Sequence, residues 1–152
     1  MIDDRAHELV RKLLVGRVFS VVRNCNGWDF QFDDLWLSTH EISFPEEKQL
    51  LELLGKHMPD MLKAVDKEYV AQGALVCRRL RIPVSDVEIL EDASLKITFK
   101  DGLEMICLTG TPYVDWHWSI SSDQEGPFGE GCIVTSIADG HAEILGEIKE
   151  NP

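Results

Sequence analysis

The sequence predicts an α+β domain in which antiparallel β-meanders, two of them alike, pack against a central helical segment, with a short helix ahead of them. Two stretches carry the strand reading. Trp28, Phe30 and Phe32 alternate with Asp29, Gln31 and Asp33, and Leu95, Ile97 and Phe99 alternate with Lys96 and Thr98. Between them Leu50, Leu51, Leu54, Met58, Met61, Leu62, Val65, Tyr69 and Val70 recur at spacings of three and four, the mark of a helical region with one apolar stripe. Strand patterns on either side of a helical one are the order of an α+β fold. The chain of 152 residues, 1–152, reads as one domain, long enough to bury about 68–70% of the surface its unfolded form exposes.

Each element has its own signal. Asp3 or Asp4 caps a first helix whose apolar residues Ala6, Leu9, Val10, Leu13 and Leu14 fall at helical spacing, and Gly16 ends it. Strand composition begins at Val18-Phe19-Ser20-Val21-Val22 and reaches the turn Asn24-Cys25-Asn26-Gly27. The alternating strand follows, and Asp33-Asp34 turns the chain into Leu35-Trp36-Leu37-Ser38-Thr39, completing a meander. Ser43 before Phe44-Pro45-Glu46-Glu47 supplies a polar cap, an early proline and acids near the positive end of a helix dipole. Gly55 and Pro59 break the helical region near residues 55–58, because a residue before proline avoids the helical conformation, so two helices or one kinked helix run to about Gln72.

Strands resume at Ile82 to Leu90, Leu95 to Phe99 and Leu103 to Leu108, with Lys100-Asp101-Gly102 as a hairpin turn. Val114 to Ile120, Cys132 to Ile137 and Ala142 to Ile148 are further strands, the last two joined by Ala138-Asp139-Gly140. An internal echo links Val18-x-x-Val21, Trp28-x-Phe30-x-Phe32 and Asp33-Asp34 with Val84-x-x-Val87, Leu95-x-Ile97-x-Phe99 and Asp101-Gly102, although any two amphipathic meanders share such a pattern.

Charge and cysteine usage narrow the function. Fifteen basic against 27 acidic side chains give a net charge of −12, a field that repels phosphate backbones and anionic lipid surfaces and suits a basic partner protein. Nucleic-acid and membrane partners are not expected. Met1 to Arg5 lack the basic region and apolar run of a secretory signal, so a cytoplasmic location is expected. Cys25, Cys77, Cys107 and Cys132 are far apart and read as reduced thiols, with Cys77 and Cys107 as small core residues.

Few residues point to chemistry. In Asp115-Trp116-His117-Trp118-Ser119, alternation puts the two tryptophans on one face and Asp115, His117 and Ser119 on the other, a polar face exposed to solvent. A catalytic triad of these three is excluded, because i, i+2, i+4 on one strand spans roughly 13 Å. The loop Ser121 to Gly131 has glycines that could cradle a ligand, but no lysine and three acids, so it is no phosphate loop; Phe128 and Glu125 are its candidate recognition residues. His7, His40, His57, His117 and His141 are scattered, and Cys132 and His141, though able to face each other across the last hairpin, are too few ligands for a closed metal site. Neither metal nor cofactor is expected. Arg78-Arg79-Leu80-Arg81 is the basic concentration, suited to offset nearby acids at the negative end of a helix.

A small acidic α+β chain with similar meanders and a Trp-x-Trp strand resembles uncharacterised bacterial domains of the kind that include immunity proteins of toxin systems. The resemblance implies a role rather than residues: an acidic surface that plugs a basic toxin. The expectation is a non-enzymatic binding protein, with binding residues Asp115, His117, Ser119, Phe128 and Glu125. The alternatives are a small-molecule binder or modest hydrolase with a pocket between sheet and helices near His117, Asp115 or His40, and a structural homo-oligomer such as a homodimer.

Overall fold

The computed structural model describes residues 4–60, 63, 66–137 and 140–144. Helix α1 (Asp4–Leu14) leads into strands β1 (Phe19–Asn24), β2 (Trp28–Phe32) and β3 (Leu35–Thr39), followed by the short β4 (Ile42–Ser43). Helices α2 (Glu47–His57) and α3 (Lys67–Arg79) come next, then β5 (Val84–Ile89), β6 (Leu95–Phe99), β7 (Glu104–Cys107), β8 (Trp116–Ser121), β9 (Cys132–Ile137) and β10 (His141–Ile144). The described strands form two antiparallel sheets, one in the order β1-β2-β3-β8-β9-β10 and one in the order β4-β7-β6-β5. The α+β fold with meander order follows the sequence expectation.

Two segments share one plan, a helix followed by a three-stranded meander: α1-β1-β2-β3 and α3-β5-β6-β7. Both helices bury an alanine in the first turns, Ala6 and Ala71, and both meanders carry a bulge at a serine in their first strand, Ser20 and Ser85. Their first strands are tied reciprocally at their beginnings: Gly16 N–H donates to the Val84 carbonyl at 2.8 Å, and Arg81 N–H donates to the Phe19 carbonyl at 2.9 Å. At the other margin the chain runs from β3 through His40 and Glu41 into β4, which pairs with β7. The two sheets therefore share one core, in which Phe19 meets Phe30, Phe32 and Phe99 edge to face at 5.2–6.0 Å. Trp118, wholly buried, crosses that core and donates its indole N–H to the Ala93 carbonyl.

Several expectations change. The echo is displaced by one residue, since Phe19 and Val22 occupy the positions of Val84 and Val87, and Val21 is exposed. Helix α2 has no fully buried residue: Leu50 packs half-buried against the core, Leu51 and Leu54 are half-buried, and Leu53 is exposed. Helix α3 runs past Gln72 to Arg79 and buries Ala71, Leu75, Val76 and Arg79. Met61, Leu62 and Val65, expected in the helical stripe, lie outside the described residues, as does the end of the last predicted strand. Cys77 is exposed on α3, whereas Cys107 and Cys132 are buried. No helix among the described residues is long and apolar enough to cross a membrane.

Candidate functional site

The solvated face expected on β8 does not exist. A bulge at His117 sets Trp116 opposite Ile137 and Trp118 opposite Ser136, neighbours on β9 that point to opposite sides, so the two tryptophans lie on opposite faces of the sheet. His117 is 3% exposed and Ser119 wholly buried, while Asp115 stays in solvent just before the strand. Ser119 joins a cross-strand row, Asp29–Ser38–Ser119–Thr135, in which Ser38 Oγ donates to Asp29 Oδ1 at 2.6 Å. The Ser119 hydroxyl has no hydrogen-bond partner, so nothing is placed to activate it as a nucleophile.

The loop after β8 is a clamped turn. Asp123 accepts from the backbone N–H groups of Glu125 and Gly131, and Arg23 reaches across to Gln124. The 3-10 turn 126–128 covers part of the six-stranded sheet and leaves Phe128 79% exposed, with Glu125 exposed beside it. These two candidates sit together in the loop. Neither they nor His117 and Ser119 line the cleft beside α2 and α3.

The opening lies elsewhere. A cleft of about 480 Å³ runs between β2, β4 and the starts of α2 and α3, within the size range of ligand pockets. Trp28 contributes from β2, and His40, Glu41, Ile42 and Ser43 from the passage into β4. Glu47 and Leu51 come from α2, Asp66, Glu68, Tyr69 and Gln72 from α3 and its cap, and Leu108 from the end of β7. Four carboxylates thus face one opening, and no lysine or arginine is among its described lining residues.

Local rules place these groups. Asp66 is the N-cap of α3 and accepts from Glu68 and Tyr69 N–H, and Glu47 and Glu68 occupy first turns, where a carboxylate is stabilised by the helix dipole. Gln72 ties the two helices to β4 by donating to Glu47 Oε1 at 3.1 Å and to the Ile42 carbonyl at 3.2 Å. Tyr69 stacks on Trp28 with ring centroids 6.0 Å apart and planes at 25°, and donates its hydroxyl to Asn24 Oδ1 at 2.8 Å. One wall is aromatic and fixed; the others are acidic.

His40 stands at the junction, its ring against that of Trp116 at 4.3 Å and tilted by 42°. Burial and the neighbouring His117 push its pKa below the ordinary 6.5, against the opposing pull of Glu41. Near neutral pH the imidazole is therefore uncharged and leaves the carboxylates of the cleft unneutralised. The buried thiols are equally inert, Cys107 pushed up to about 12 and Cys132 to about 11, both first by desolvation. Cys132 and His141 do not face each other, since His141 pairs with Ile137, and no group of three or more His, Cys, Asp or Glu that could hold a metal occurs among the described residues.

Sequence reasoning named His40 as a pocket residue but missed the carboxylates. The signal was present: Glu47, Asp66 and Glu68 are all helix-start acids, and two helix starts brought side by side concentrate negative charge. No family model matches the chain, and neither does a curated protein or a solved structure.

Proposed function

We propose that this chain is a non-enzymatic binding protein that recognises a basic partner protein, with the acidic cleft at the centre of the contact. The observation that carries the reading is the cleft, where four carboxylates and an aromatic wall converge without a described lysine or arginine. The net charge of −12 supports it, because a field of that sign steers basic partners and repels anionic ones. An immunity-type inhibitor of a basic toxin is the specific form this reading takes, with Phe128 on its clamped loop as a second, apolar contact. A small-molecule binder draws support only from the size of the cleft, since His117 does not line it.

The test uses the tagged chain and its Glu41→Gln/Glu68→Gln variant as parallel baits at low and high salt. A basic protein held by the first bait at low salt, released at high salt and lost by the variant is the expected result. Retention indifferent to salt and to both substitutions, or no retention, overturns the reading.

A further inference from the structure

We propose that the cleft receives one arginine side chain of the partner, an inference that rests on the binding reading above and deepens it. Two of the chain's own arginines show the contact. Arg23 lies 4.4 Å over the ring of Trp36 with Asp29 at 3.7 Å. Arg79 lies 4.5 Å over the ring of Phe44 and pairs with Glu46. In both places a flat guanidinium rests on an aromatic face while its edge meets a carboxylate.

The cleft offers the same two parts to a visitor. Tyr69, half exposed, is held against Trp28 by the stack and by its bond to Asn24, so the aromatic wall is ordered before anything binds. Glu47 and Asp66 are engaged by Gln72 and by the α3 cap, which fixes their positions. Glu41 and Glu68 are exposed and make no ion pair with a lysine or arginine among the described residues.

A guanidinium suits this pair of walls better than an ammonium. It is planar, stacks on a ring, forks onto a carboxylate through two parallel N–H bonds and is less strongly hydrated, so less is lost when water is displaced. Lysine would gain the charge attraction but not the stack or the fork. The cleft volume also leaves room for the aliphatic stem beside Leu51 and Leu108.

The experiment titrates the ¹⁵N-labelled chain with N-acetyl-arginine amide, N-acetyl-lysine amide and tetramethylammonium. The arginine amide is expected to shift the Trp28 indole and the Tyr69 and Gln72 amides, and to bind at least about fivefold tighter than the lysine amide, consistent with a bidentate, stacked contact. Glu68→Gln is expected to weaken both amides several-fold. Tyr69→Leu is expected to erase the preference for arginine, and Tyr69→Phe, which keeps the ring, to retain it.

Equal binding of the two amides, shifts confined to residues outside the cleft, or tighter binding of tetramethylammonium each overturn the arginine assignment. If the amides fail while a captured basic protein still binds in a salt-sensitive way through Glu41 and Glu68, the arginine inference falls and the binding reading stands. If no basic protein is held either, both fall.

Discussion

The two αβββ segments place different residues at the same point of their helices, Leu14 closing α1 and Arg79 closing α3, each wholly buried. Each is followed by an equivalent turn, with Arg17 N–H bonded to the Leu14 carbonyl and Ile82 N–H to the Arg79 carbonyl. Leu14 joins the apolar core. Arg79 donates to the carbonyls of Leu75 and Glu104, pairs with Glu46 and covers the Phe44 ring. The second segment must also hold the inserted β4–α2 stretch, and a long cation with five donors reaches three elements that a leucine cannot. The stretch between the two segments is thus fastened by a charged clamp at the point where the first segment holds an apolar core residue.

The largest effect should come from cutting that clamp. Arg79→Ala is expected to lose about 3–5 kcal/mol in urea unfolding, because Glu46 and the Glu104 carbonyl lose their buried partner. The Arg79→Leu/Glu46→Leu pair, which imposes the first segment's solution on the second, should recover more than half of that loss; no recovery would mean that the insertion depends on the ion pair itself. The turns between first and second strands offer a finer contrast. Gly27 has φ +117°, and a Cβ there would lie 2.5 Å from the Thr39 carbonyl oxygen, so Gly27→Ala should cost about 2–3 kcal/mol. In the second segment Ala93 already holds φ +65° with its side chain buried, and Ala93→Gly should change stability by less than about 1 kcal/mol, local strain relief set against a more flexible unfolded chain.

His40 marks the place where the first segment leaves the shared plan, and it gives a smaller, pH-dependent signal. Its folded pKa lies below the ordinary 6.5, so on acidification the unfolded chain takes up this proton first and stability declines as the pH falls below about 6.5. Urea midpoints measured from pH 7.5 down to 5.5 should fall, and His40→Phe, keeping a ring against Trp116, should flatten the decline. The smallest perturbation is chemical. At pH 8 a maleimide should label exposed Cys25 and Cys77 in the folded chain and spare Cys107 until it unfolds.

Local signals were legible and long-range ones were not. Trp28, Phe30 and Phe32 alternate in sequence and are buried as a set, and α1 hides Ala6, Val10, Leu13 and Leu14 as its spacing demands. The spacing rule failed at His117 because the bulge there inserts one extra residue into β8, which strict alternation does not allow for. Burial of α2 is only partial because periodicity reports a stripe, not how completely it is covered. The acidic cleft escaped notice because Glu41, Glu47, Asp66 and Glu68 are each ordinary where they stand; only the packing of α2 and α3 beside the passage from β3 into β4 brings their carboxylates together.

The reciprocal bonds from Gly16 to Val84 and from Arg81 to Phe19 join residues about 65 positions apart. During synthesis at about 5–20 residues per second, the first meander therefore waits on the order of seconds with the start of β1 unpaired before its counterpart leaves the ribosome. An open edge is a template for other chains, and because these bonds reach β1 only at Phe19, its first residue, β1 remains an edge strand in the finished fold. Truncation after the first meander should therefore raise aggregation only by freeing the start of β1, since the rest of that edge is open in the full chain as well.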